Sequence, residues 1–175
     1  MQIIFLFLIT IFSIIGLEGC DELLKSSISG EIVEIRDMNP DEKEFWDEMA
    51  LCMKTKSEAR KNIDDLSGAL DVPYIRTFTI RTTIQCGDIN ADGCFSSRGY
   101  EIAIKERWVG TSTYKALVTH ETKHAILYML TGDSDGNYGE PGGHDSPWFT
   151  DNTLCPDFPP NTRDVQKDYV CPGEN

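Results

Sequence analysis

The chain has 175 residues, of which 29 are acidic and 16 basic, for a formal net charge of −13 at pH 7. So acidic a surface repels phosphate backbones, which argues against nucleic acid as a partner and against a basic patch holding the chain to a membrane. The length suits one ordinary domain with a real core once an N-terminal leader is set aside.

The leader is the first feature in chain order. Ile3 to Leu17 is almost unbroken apolar sequence, interrupted by Thr10, Ser13 and Gly16. At about fifteen residues it is short for a membrane span of roughly twenty and suits a signal-peptide core. It ends in Leu17-Glu18-Gly19-Cys20, which resembles a bacterial lipobox. That resemblance implies cleavage after residue 19, lipidation of Cys20, and an exported protein held in the cell envelope by its lipid. The match departs from the usual pattern in lacking an early Lys or Arg and in carrying Glu18. Residues 20–40 then read as a tether, or as a tether with a first short strand around Ile32, Val33 and Ile35.

The folded domain is predicted over 41–175. Asp41-Glu42-Lys43 opens a helix to about Lys61, with Phe45, Trp46, Met49, Ala50 and Met53 recurring at helical spacing and acids ahead of bases. This is read as a backing helix whose Trp and Met are core. After Val72-Pro73, residues 74–83 alternate with β-branched and aromatic side chains, so they are predicted as a strand with Phe78 and Ile80 on one face. Residues 86–99 read as a turn-rich loop, and Tyr100 to Lys105 as a second strand. Gly110-Thr111-Ser112 caps a long helix over 112–131, which Gly132 stops. Residues 132–160 are rich in Gly, Pro, Asp and Asn; a loop of that length in a compact domain is usually functional or disordered. The fold class expected is a small α+β domain: a mixed or antiparallel sheet, a backing helix and a central helix.

Export makes the cysteines oxidised. With Cys20 lipidated, five remain, so one is expected to stay unpaired. Cys86–Cys94 and Cys155–Cys171 are the pairings predicted, with Cys52–Cys86 or Cys52–Cys94 as rivals.

The long helix carries His120-Glu121-Thr122-Lys123-His124. Two histidines four apart on a helix lie on one face, where one Zn2+ can take both. Glu121 then projects beside the metal, where it can accept a proton from an attacking water. The chain has three histidines, and the third, His144, follows in Gly142-Gly143-His144-Asp145-Ser146-Pro147. A catalytic zinc takes three protein ligands and keeps a fourth position open. His144 is the third ligand expected, with Asp145 and Glu140 as alternatives. Tyr100, Tyr128, Tyr138 and Arg98 could support a developing oxyanion, although no spacing singles one out. Asp145 could also orient a ligand imidazole.

The order helix, strand, strand, metal helix, long loop resembles the zincin metallopeptidases over roughly residues 40–150, and most specifically over Val118 to His124. The resemblance implies a zinc metalloprotease, a hydrolase in which His120, His124 and a third residue hold the metal and Glu121 is the base. It also implies that residues 100–105 form the edge of the cleft, to which peptide substrate adds as a further strand. The chain departs from metzincins in having Leu130 where their third histidine stands, and from gluzincins, whose third ligand is a glutamate on a following helix. Its expected partner is thus a peptide or protein substrate, and a monomer is expected. The alternative is a non-catalytic zinc-stabilised envelope lipoprotein in which a fourth protein ligand closes the metal.

Two segments look like structural Ca2+ loops. Asp88-Ile89-Asn90-Ala91-Asp92-Gly93 copies the start of an EF-hand loop, but Gly99 stands where its glutamate is required. Asp133-Ser134-Asp135-Gly136-Asn137 is a weaker match, and such clusters usually make plain turns.

Overall fold

The computed structural model describes residues 28–136, 144–151 and 153–155, and in them the chain is a small α+β domain. The leader, Cys20 and Glu140 lie outside the described residues. Among the described residues no helix is long and apolar enough to cross a membrane.

The main sheet has four strands: β2 (Ile32–Arg36), β3 (Thr77–Arg81), β6 (Gly93–Ser96) and β7 (Glu101–Lys105). Their order is β2-β3-β7-β6. The β3–β7 pair is parallel, with Phe78 opposite Ile102 and Ile80 opposite Ile104, and the outer pairs are antiparallel. A smaller antiparallel sheet joins β1 (Ile28–Ser29), β4 (Gln85–Cys86) and β5 (Ile89–Asn90). Residues 28–36 therefore belong to the folded domain, as the short-strand alternative anticipated.

Two sequence expectations need correction. Residues 86–99 are not merely a loop, because they hold β5 and β6. Nor is the 100–105 strand the sheet edge: β7 lies between β3 and β6, and β6 takes the edge beside the central helix. Strand order follows from pairing between distant segments, which local alternation does not report.

Helix α1 (Pro40–Ala59) starts where Asn39 accepts the Glu42 amide and Glu42 reaches back to the Asn39 amide, a capping box with Pro at the first turn. Its apolar stripe, Phe45, Trp46, Met49, Ala50 and Met53, is buried as expected. Helix α2 (Ser112–Thr131) is capped by the Thr111 hydroxyl and ends at Gly132, whose φ of +81° suits a residue without Cβ. Phe78, Ile80, Ile102 and Ile104 form one core cluster with residues of both helices. A second apolar cluster joins Cys94 and Ala103 of this sheet to Ile28 and Ile84, and in a buried ion pair Arg81 donates to Glu101 at 2.8 Å.

One polar network fixes α2 against the rest. Arg36, at the end of β2, donates to both Glu42 oxygens at 2.5 and 2.7 Å, and the Tyr114 hydroxyl of α2 donates to the same carboxylate. Burial and then the Glu42 hydrogen bond push the Tyr114 phenol well above its ordinary range, so it remains a donor. Glu42 is fully buried. Replacing it by Gln removes the charge that three donors face, and we expect a loss of about 2 kcal/mol in urea unfolding. An unchanged midpoint at unchanged slope would mean that the network adds nothing.

The disulfides correct one pairing and bear out another. Cys86–Cys94 forms as expected. Cys155 is joined to Cys52 of α1, not to Cys171, which lies outside the described residues. The chain after α2 returns across α1, where Arg60 donates to Asp151 at 2.9 Å and brings Cys155 over Cys52. Two disulfides suggest an oxidising environment.

Candidate metal centre

Helix α2 is buried on every side from Ala116 to Leu127, and that stretch includes His120, Glu121, Lys123 and His124. An apolar helix can be buried all round without further cause. Four ionisable side chains at 2 to 6 % exposure need one.

The three histidines converge. His144 Nε2 lies 3.0 Å from His120 Nε2 and 3.1 Å from His124 Nε2. The three donor atoms fall within 4.8 Å of one another, and among the described residues this is the group that could hold a metal ion. Tetrahedral ligands at 2.0–2.1 Å from zinc stand about 3.3 Å apart, close to the two distances from His144. The tautomers point the same way. His124 Nδ1–H donates to the Ser134 carbonyl at 2.8 Å, so its Nε2 turns a lone pair toward the other rings. Three imidazole nitrogens facing one point cannot all be satisfied by the protons they carry, whereas one cation satisfies all three. Burial, followed by the neighbouring His120 and His144, holds His124 well below the ordinary histidine range and keeps it in the neutral, ligating form.

His144 reaches the helix because the chain after it is pinned. Ser146 accepts the Trp148 amide and starts α3 (Pro147–Thr150), with Pro in its first turn. Phe149 of that turn lies under the rings, stacked on His124 at a centroid distance of 4.2 Å and packed against His144 at 5.1 Å. Lys123 Nζ lies 5.8 Å from the same ring's centroid. Sequence reasoning missed Phe149; the signal was Ser146-Pro147-Trp148-Phe149, starting two residues after His144, a cap and helix start placing an aromatic five residues on.

A cavity of about 110 Å3 opens onto the three histidines, walled by Glu121, Ser134 and Gly93, Cys94 and Phe95 of β6. The remaining candidates lie elsewhere. Arg98 and Tyr100 are exposed, Tyr128 packs against Phe95 and Tyr100, and none of the three lines the cavity. Asp145 is exposed, and its backbone amide, not its carboxylate, takes part in the local hydrogen bonding. Tyr138 lies outside the described residues. In the first calcium-like segment Asp92 is paired with Lys105 at 3.0 Å and Arg107 at 2.6 Å. Burial raises the Asp92 carboxyl, but Lys105 and Arg107 outweigh it and hold the group low. In the second, Asp133 and Asp135 accept backbone amides of their own turn and of the chain beside His144.

No protein family, curated protein or solved structure matches this chain.

Proposed function

We propose that this protein is a zinc-dependent peptidase, exported and held in the cell envelope by lipid on Cys20, and monomeric. The observation that carries the proposal is the convergence of His120, His124 and His144 on one point, with Glu121 walling the same cavity. Held by the three imidazoles, zinc would polarise a scissile carbonyl and bring the pKa of a water toward about 7. Glu121 accepts the proton of the attacking water. The water oxygen bonds to the carbonyl carbon, the carbon–nitrogen bond breaks, and Glu121 returns the proton to the departing amine. Ser134 fixes the His124 tautomer, and Phe149 packs against all three rings, keeping water from that side. The edge strand β6 pairs with β7 and lines the cavity, so an extended peptide can add along it.

The test is metal content and hydrolysis together. We expect one zinc per purified chain and cleavage of a denatured protein, abolished by chelation and restored by zinc. X-ray absorption should give three nitrogen ligands and an exchangeable oxygen. Zinc closed by four protein ligands, with no cleavage, would favour the non-catalytic lipoprotein; no zinc at all would overturn both readings.

A further inference from the structure

We propose that the turn Asp133–Gly136 assembles the three-histidine group, with Asp135 as the positioning residue that holds the His144 segment against α2. The inference rests on the metal reading above and assigns a task to the acidic turn that neither the ligands nor the base account for.

The turn is fastened to the end of α2. The Thr131 hydroxyl lies 2.7 Å from the Leu127 carbonyl and 2.9 Å from the Asp133 carbonyl, so that its one proton serves either, and it accepts the Asp133 amide at 3.1 Å. Inside the turn, Asp133 Oδ1 accepts the Asp135 amide at 2.9 Å, and the Gly136 amide donates to the Asp133 carbonyl at 3.2 Å. Gly136 has φ +69°, and a Cβ there would lie 2.7 Å from Asp64 Oδ2 and 3.0 Å from a Leu127 methyl. The turn is therefore closed tightly against the helix, and glycine is what allows it.

From this fixed base two consecutive residues reach His124 and the chain just after His144. Ser134 accepts from His124 Nδ1–H and so sets which nitrogen faces the metal. Asp135 Oδ2 accepts the Asp145 amide at 3.1 Å, and the neighbouring Ser146 amide also favours the charged carboxylate. These are the two residues directly after His144. Asp135 is 0 % exposed, and its Oδ1 has no hydrogen-bond partner among the described residues. Burying a carboxyl this way is costly, and burial pushes its pKa up to about 7 in spite of the two amides. What offsets that cost is the placement of the third ligand. His120 and His124 are fixed by their helix, whereas His144 comes from a separate segment and needs an anchor. Asp135 and Ser134 supply that anchor from one turn, so tautomer and third ligand are set together.

The experiment measures zinc affinity by chelator competition and the visible spectrum of the cobalt-loaded protein, without recourse to activity. Asp135→Ala should weaken zinc binding about 10- to 100-fold and give a cobalt spectrum like that of His144→Ala, because two ligands remain in place and the third is released. Asp135→Asn keeps a carbonyl oxygen for the Asp145 amide and should recover most of the affinity, whereas Asp135→Leu, similar in size but without an acceptor, should not; a purely packing role would not separate the two. Hydrogen exchange on chelated wild-type protein needs no variant, and the Asp145 and Ser146 amides should be protected before metal arrives. Wild-type affinity and spectrum in folded Asp135→Ala overturn the inference, as do Asp145 and Ser146 amides that exchange at the unfolded rate in the chelated wild type. A wild-type protein that takes up neither ion overturns the metal reading and this inference together; a metal-loaded wild type with an indifferent Asp135→Ala overturns this inference alone.

Discussion

Glu121→Gln should keep its zinc and lose its turnover. The side chain lies on α2 between two ligands and walls the same cavity, so Gln occupies the same space without touching the rings' nitrogens. What it cannot do is accept a proton. Positioned general bases contribute about 10²- to 10⁴-fold, so kcat should fall by that factor. KM should change little, since the lost interaction belongs to the transition state. Zinc content, kcat and KM measured on one preparation make the case. A variant that hydrolyses as fast as wild type defeats the proposed mechanism. One that loses zinc along with activity would show that Glu121 serves the metal site rather than the proton.

The result also separates what local sequence can reveal from what it cannot. Helix α2 was legible from Thr111 to Gly132 because cap, apolar stretch and stop are all written within it. His120 and His124 share a face by helical periodicity alone, and His144 was reachable because the chain holds no other imidazole. Strands β4, β5 and β6 were not legible. They are two, two and four residues long, set among Gly, Asn and Asp, and too short for alternation to register. The interior place of β7 depends on partners more than twenty residues away in β3. The composition of Asp133-Ser134-Asp135-Gly136-Asn137 fits a plain turn and a weak cation loop equally. Only the fold brings this segment beside the residues that follow His144. The Cys155 pairing failed for the same reason: nothing near residue 155 announces a partner on α1.

That bridge carries the second large effect. Cys52–Cys155 closes a loop with a sequence separation of 103, whereas Cys86–Cys94 spans 8. In the chain-entropy account a loop of about 100 residues stabilises by about 4.7 kcal/mol, and one of about nine by about 2.5 kcal/mol. Replacing Cys52 and Cys155 together by Ala should therefore cost roughly twice what the Cys86/Cys94 pair costs in denaturant unfolding of the chelated protein. The exposed Arg60–Asp151 pair across the same contact is a weak substitute, since surface ion pairs contribute about 0–1 kcal/mol. The two bridges should also differ in what they do to metal. Cys155 follows α3, which carries Phe149 beneath the rings and starts three residues after His144. Freeing it lets the third ligand's segment lift from α1, so zinc affinity should fall along with stability. The Cys86–Cys94 bridge walls the cavity but holds no ligand, and its loss should leave zinc binding near wild type. Equal losses of stability from the two pairs, or a zinc affinity indifferent to the long bridge, would mean that the His144 segment is held in place without the covalent tie to α1.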